Sequence, residues 1–133
     1  MSLKDLKGKK IALYFYPADD TPTCTQEACN LRDNFSELKK NGIEIIGISP
    51  DDETNHQKFI KKYTLPFTLL CDPNMKTIND FGVWGEKNMY GRKYMGLIRT
   101  TFLIDEDGKI YDVIKRVLSK KHTQQILKAW DML

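Results

Sequence analysis

Apolar and aromatic residues fill every position from 11 to 16 and stop at Pro17. An unbroken run of that length marks a strand buried on both faces. Residues 43–48 are mostly apolar, with Glu44 and Gly47 among isoleucines, and read as a second buried strand; residues 67–70 give a third just after Pro66. Between the first two runs, Ala28, Leu31, Phe35 and Leu38 recur at spacings of three and four. That period predicts a helix with one apolar face, starting at Pro22 and reaching about Lys40, where Asn41 and Gly42 end it. Shorter helices are predicted over 54–62 and from Asp72 and Pro73 through Phe81, the latter closed by Gly82. In residues 83–98, Gly85, Gly91 and Gly96 interrupt a run of aromatics, which predicts an irregular loop with at most a short strand. Residues 100–104 and 109–114 read as two strands joined across Asp105–Gly108, a strong hairpin signal. A closing helix is predicted over 121–133 with Ile126, Leu127 and Trp130 inward. The early alternation of strand and helix implies parallel pairing, and the hairpin adds antiparallel strands. The expected fold is α/β: a mixed sheet with helices on both faces, in one domain spanning 1–133.

Composition narrows this little. The 133 residues suit one domain with its own core. Net charge is +3 from 21 Lys and Arg against 18 Asp and Glu, and the lysines are spread among carboxylates. No basic stripe suggests nucleic acid, and no apolar run approaches the roughly 18 residues of a membrane span. Polar, lysine-rich sequence follows Met1–Leu3, so no signal peptide is expected and a reducing, cytoplasmic setting is. Three cysteines are an odd number, which excludes a complete disulfide framework. The Cys24-to-Cys29 gap exceeds the usual spacing of a structural zinc pair, and His56 and His122 fit no Cys/His ligand pattern. No structural metal is expected.

Cys24 is where chemistry concentrates. Thr21 can cap the helix and Pro22 suits its first position, where a missing N–H costs nothing. Cys24 then falls in the first turn, where free backbone N–H groups and the helix dipole favour an anion. Thr21 lies three residues earlier, so its hydroxyl can reach the same turn. Pro17 and Pro22 stiffen the loop and keep water from the sulfur. A cysteine at its ordinary pKa near 8.5 is only about 3% thiolate at neutral pH, and a fall to about 6 makes it about 90% thiolate. That fall needs about 3 kcal/mol.

Pro17, Thr21 and Cys24 in the spacing Pro-x3-Thr-x2-Cys resemble the active-site signature of the peroxiredoxins. The run from Cys24 to Cys29, followed by Leu31, Arg32 and Asp33, is similar to the bacterioferritin comigratory protein (peroxiredoxin Q) branch. So are residues 81–87, and Arg99 through Asp105 with Gly108, in the same order. The likeness spans residues 11–115. It implies a thioredoxin-like fold and a thiol peroxidase acting on hydrogen peroxide and organic hydroperoxides, with no metal, haem or flavin. Carried over by position, Cys24 is the peroxidatic cysteine, Thr21 bonds peroxide and thiolate, and Pro17 shields the sulfur. Arg99 brings a permanent positive charge that stabilises the thiolate and polarises the peroxide. The likeness also implies that Cys29 resolves the Cys24 sulfenic acid as a disulfide, recycled by thioredoxin or a similar dithiol protein. On an ideal helix, residues five apart have Cα atoms about 8.6 Å apart, and a disulfide wants less than about 7 Å. Pairing therefore requires the first turns to unwind.

Members of that branch usually carry a segment before the first core strand, and here the core begins at Ile11; the segment is expected to be missing, leaving a monomer or a weak homodimer. Three alternatives stand beside the peroxidase with a resolving Cys29. One is a one-cysteine peroxidase with Cys29 only structural. Another is a redox-sensing or chaperone-like binding module. A dithiol oxidoreductase is the third, but no Cys-x2-Cys pair exists and no proline occurs in residues 98–104. Cys71, after an apolar strand, reads as a buried, inert thiol. Glu27 either orients the loop or Arg32, or is a solvated helix carboxylate. Tyr14, Phe15, Tyr16, Phe81 and Trp84 are candidates for the wall of a pocket, with Trp84 the strongest and Phe15 equally well explained as core.

Overall fold

The computed structural model describes residues 8–132. The polar leader and the last residue of the expected closing helix lie outside them. The elements run β1 (Lys10–Phe15), α1 (Pro22–Asp33), α2 (Phe35–Lys40), β2 (Ile43–Ser49), α3 (Glu53–Tyr63), β3 (Thr68–Cys71), α4 (Lys76–Asp80), β4 (Trp84–Met89), β5 (Arg92–Leu97), β6 (Thr100–Ile104), β7 (Ile110–Ile114) and α5 (His122–Ala129).

The five-stranded sheet has the order β3-β2-β1-β6-β7. β1 pairs in parallel with β2, and β2 with β3; β6 lies antiparallel to both β1 and β7. This is the expected mixed sheet. β1, its central strand, is fully buried after Lys10, because both of its faces are covered. Ala12, Tyr14 and Tyr16 pack on one face with Leu31 of α1, Leu38 of α2, Phe59 of α3 and Ile126 of α5. Ile11, Leu13 and Phe15 pack on the other with Ile78 of α4, Val83 and Leu97. Helices therefore cover both faces unequally.

Four elements depart from the sequence reading. The closing helix expected over 121–133 ends at Ala129, and Asp131 takes a left-handed φ of 54°. The helix expected over 22–40 is two helices. Asn34 leaves helical geometry at φ −112°, ψ 13°, and its side-chain amide donates to the Asn30 carbonyl at 2.8 Å. The helix expected from Asp72 forms only at Lys76, because Met75 adopts a left-handed φ of 63°. Asp72 still caps it, its carboxylate accepting from the Thr77 and Ile78 amides. The loop expected over 83–98 is a regular antiparallel hairpin, β4–β5, in register Trp84↔Leu97 through Met89↔Arg92. Its two-residue turn places Tyr90 and Gly91 at φ 54° and 78°, the paired positive values of a type I′ turn.

Gly47 of β2 sits opposite Tyr14 of β1. A Cβ there would lie 2.7 Å from Leu69 Cδ2 and 2.9 Å from Tyr14 Cζ. Both neighbours are buried, so neither can move without disturbing the core. Gly47→Ala is expected to destabilise the fold by about 1–3 kcal/mol, measured by denaturant unfolding. A loss below about 0.5 kcal/mol, the range of an unconstrained surface change, would contradict this packing.

Candidate active site

Proline at position 22 and extended backbone at Thr21 (φ −87°, ψ 155°) start α1 where the sequence placed it. Thr21 does not cap with its side chain. Its hydroxyl donates to the Ala18 carbonyl at 3.3 Å, and the first intrahelical bond is Thr25 N–H to the Thr21 carbonyl. The amides of Thr23 and Cys24 precede that bond and have no partner within the helix. The first turn carries no acidic residue, so no carboxylate competes for its positive end. Pro17, in the loop joining β1 to α1, is partly buried. Cys24 itself is 1% exposed.

Arg99 reaches Cys24 because of strand register. Phe15, the last residue of β1, pairs with Thr100, the first of β6. The residue before Thr100 therefore emerges beside the loop that leads from β1 into α1. Arg99 Nη2 donates to Cys24 Sγ at 3.2 Å, and Nη1 donates to Glu27 Oε1 at 2.8 Å. Cys24, Glu27 and Arg99 thus form one cluster from parts of the chain 72 and 75 residues apart.

Glu27 is 0% exposed. It meets Arg99 and not Arg32, whose Nη1 instead donates to the Tyr63 carbonyl; neither the Arg32 contact nor the solvated carboxylate considered for it is found. One helical turn after Cys24 it faces the sheet, which the sequence pattern disguised because carboxylates seldom occupy core positions. Burial pushes its carboxyl up to about 7, against the opposing pull of Arg99. Its second oxygen lies 3.3 Å from His122 Nδ1. His122, at the start of α5, is also fully buried, and its Nε2 meets Thr101 Oγ1 at 2.7 Å. Burial drives its pKa down to about 3, with Arg99 adding to the fall, so the ring is neutral. α5 is held against α1 by Asn30, which accepts from the Thr123 amide and hydroxyl. Sequence spacing gave no sign of His122, since it enters through that helix contact alone.

Cys29 lies on α1 with Cys24 and is partly exposed; both are free thiols. Cys71 is exposed, not buried, because β3 is an edge strand and residue 71 is its last. Partial desolvation of its sulfur by neighbouring atoms, with the nearby Glu53, Asp19, Asp52 and Asp51 charges, raises its pKa.

The aromatic candidates divide between the two faces of the sheet. Tyr14 stacks on Tyr16 and meets the His122 ring edge-on, on the Cys24 side. Phe15 and Phe81 pack with Phe102 on the opposite side. There a largely apolar cavity of about 330 Å³ is bounded by Phe81, Val83, Ile98 and Phe102 among others. Trp84 is 41% exposed on β4 and does not line it.

A second polar cluster pins the loop that carries Pro17. His56 Nδ1 meets Asp19 Oδ2 at 2.6 Å, and Nε2 meets the Leu70 carbonyl at 3.0 Å. Both partners are acceptors, so both ring nitrogens donate and His56 is an imidazolium. Tyr16 donates its hydroxyl to the other Asp19 oxygen. Asp51 accepts from the Asp19 amide and the Ser49 hydroxyl. Asp19, Asp51 and His56 lie close enough to share a cation, but the two His56 nitrogens and the bonded Asp51 oxygen are already engaged within the chain. The arrangement works as a clasp between this loop, α3 and β3.

Comparison with known proteins accords with the geometry. The AhpC/TSA family model matches residues 1–113. The chain belongs to that family. It is 51% identical over 127 residues to a putative peroxiredoxin bcp of Coxiella burnetii, covering 96% of this chain and 84% of the relative. It is 44% identical to peroxiredoxin Bcp of Escherichia coli K12, covering 96% and 81%. Among solved structures it resembles Xanthomonas campestris peroxiredoxin Q, with a TM-score of 0.90 and 33% identity over 98% of this chain and 83% of that one. A Xanthomonas campestris bacterioferritin comigratory protein, studied for alkyl peroxide reduction in trapped intermediate and ligand complexes, gives 0.89 and 32%, covering 98% and 82%. The fold is therefore the thioredoxin-like fold of the peroxiredoxins, and the chain is a thiol peroxidase of the bacterioferritin comigratory protein branch.

Burial lowers the His56 pKa, but the Asp19 hydrogen bond, the Leu70 carbonyl and the Asp19 and Asp51 charges together outweigh it and raise it. The folded state then holds a proton that the unfolded state loses above about pH 6.5. The clasp's stabilisation is complete below that pH and is lost as pH rises through the raised value. Proton NMR is expected to show His56 charged at pH 7. Asp19→Asn, which removes the charge, is expected to flatten the alkaline fall in unfolding free energy. An unchanged pH profile in Asp19→Asn would contradict the clasp.

Proposed function

We propose that Cys24 is the peroxidatic nucleophile and that Arg99 and Thr21 serve it directly. The observation that carries this reading is the 3.2 Å contact between Arg99 Nη2 and Cys24 Sγ. A guanidinium beside a buried sulfur stabilises the thiolate, and its N–H donors also face the oxygen that leaves with negative charge. The thiolate attacks the terminal oxygen of a hydroperoxide. An S–O bond forms, the O–O bond breaks, and the departing alkoxide or hydroxide takes up a proton, leaving Cys24 as sulfenic acid. Thr21 turns its hydroxyl from the Ala18 carbonyl toward the peroxide, and Pro17 keeps water from the sulfur. Substrates are hydrogen peroxide and organic hydroperoxides; the related protein known for alkyl peroxide reduction supports the second class.

Cys29 resolves the sulfenic acid. Its thiol attacks Cys24 sulfur, water leaves, and a disulfide forms that a thioredoxin-type dithiol reduces. The α1 turns between the two cysteines unwind for this step, because helical geometry holds residues five apart beyond disulfide reach. The protein acts in the cytoplasm, a reading supported by the odd number of cysteines, which excludes a complete disulfide framework; no described helix is long and apolar enough to cross a membrane.

Peroxide consumption with thioredoxin and its reductase tests these assignments. Cys24→Ser is expected to abolish turnover, and Arg99→Leu to lower it by about 10²–10³, the cost of removing one donor to a developing oxyanion. Cys29→Ser should still react once with peroxide but stop cycling with thioredoxin. Cys71→Ser should cycle at the parent rate. Unchanged turnover in Cys24→Ser would end the reading, and full thioredoxin-dependent turnover in Cys29→Ser would remove the resolving role.

A further inference from the structure

Three buried side-chain atoms among the described residues have no hydrogen-bond partner: Tyr14 Oη, Glu27 Oε2 and His122 Nδ1. The last two face each other at 3.3 Å. A carboxylate oxygen accepts and a neutral imidazole carries one N–H, so this contact needs a proton either on His122 Nδ1 or on Glu27 Oε2. With it on His122, Nδ1–H donates to an ionised Glu27 and Thr101 Oγ1–H donates to Nε2. With it on Glu27, Oε2–H donates to His122 Nδ1 and Nε2–H donates to Thr101 Oγ1. Glu27 Oε1 accepts from Arg99 in both.

Charge balance decides between the two placements. The titratable and charged groups around the pair are Cys24 on α1, Arg99 before β6 and Tyr14 on β1, whose hydroxyl burial and the neighbouring charges hold protonated. His122 is neutral and Thr101 carries no charge. When Cys24 is a thiol, Arg99 and an ionised Glu27 cancel. When Cys24 is a thiolate, Arg99 cancels the sulfur instead, and an ionised Glu27 would leave one unbalanced negative charge. Cys24, Glu27 and His122 are all 0–1% exposed, and an unbalanced buried charge is expensive. Arg99 touches both acceptors, so one cation serves whichever of them is charged.

We propose that Glu27 and His122 form the proton store of the peroxidase site, holding the proton that Cys24 gives up and returning it when the peroxide O–O bond breaks. This rests on Cys24 being the nucleophile. The balance is complete: thiolate, protonated Glu27 and hydroperoxide become sulfenic acid, ionised Glu27 and alcohol or water. The thiolate sulfur is oxidised and the peroxide reduced. The cluster with Arg99 is neutral before and after. Glu27 and His122 touch neither sulfur nor substrate: Arg99, which contacts both Glu27 and Cys24, couples their charges, and the proton itself passes through water, so they are positioning residues.

The test uses carbon NMR of the glutamate side-chain carboxyls in the otherwise intact Cys29→Ser, Cys71→Ser protein, which stops at the sulfenic acid. A glutamate carboxyl free in water is fully ionised by about pH 6.5. At that pH one carboxyl is expected to show the neutral-form shift in the reduced protein. It should move to the ionised shift after one equivalent of hydrogen peroxide. A Glu27 carboxyl with the same shift before and after Cys24 is oxidised would overturn the proposal. Failure of Cys24 to oxidise at all would instead overturn the nucleophile assignment on which it rests. A pH-indicator dye supplies a second reading. The same protein should take up close to no proton per Cys24 oxidised, and Glu27→Gln, which stores none, about one. Equal uptake in the two proteins would also overturn it. A merely structural role for Glu27 moves neither readout.

Discussion

Everything in the site hangs on one guanidinium. Arg99 donates to Cys24 and to Glu27 at the same time, and both acceptors are out of contact with water. Charges in such surroundings are costly alone and stable only when matched. The single positive charge therefore dictates how much negative charge the cluster can carry. It also dictates fold requirements. Arg99 is placed by the antiparallel register Phe15↔Thr100, Cys24 by the start of α1, and Glu27 by one further turn of the same helix. His122 arrives on α5, which Asn30 ties to α1. A one-residue slip of β6 would exchange the side chains on its two buried faces and move Arg99 out of reach.

α1 serves two demands that conflict. Intact, it holds Cys24 in its uncapped first turn and carries Glu27 to Arg99. In the proposed cycle it must also let Cys24 meet Cys29, which its own geometry forbids. Several features of the chain localise that conflict. Asn34 separates α2 from α1, so α1 can open without unravelling the helix that carries the core residue Leu38. The Asp19–His56 clasp anchors the loop before α1 to α3 and β3. Loss of the Cys24 charge on oxidation weakens the Arg99 contact at the first turn of α1, while the Arg99–Glu27 pair one turn later remains. Oxidation thus loosens the start of the helix first.

The sheet was legible from the sequence because buried parallel strands leave apolar runs, unbroken over residues 11–16 and interrupted only by Glu44 and Gly47 over 43–48. Cys24, Thr21, Pro17 and Arg99 were legible as a spaced signature. What the sequence hid has physical causes. The β4–β5 hairpin alternates no apolar face, since most of β5 is exposed, and its turn uses Tyr90 where Asn or Asp would have announced it. Glu27 looked like a surface carboxylate because its burial depends on Arg99, 72 residues away. His56 and His122 gave no pattern because each is matched to partners from other elements. Cys71 looked buried because the strand ahead of it is apolar, but it ends an edge strand.

Amide hydrogen exchange of α1 tests most directly whether the helix that builds the site must also come apart. Reduced protein and protein carrying the Cys24–Cys29 disulfide would be compared at one pH. Amides of residues 25–32 are predicted to be protected in the reduced form and to exchange freely in the disulfide form, while those of β1 and β2 keep their protection. A disulfide formed with α1 still protected would contradict the account.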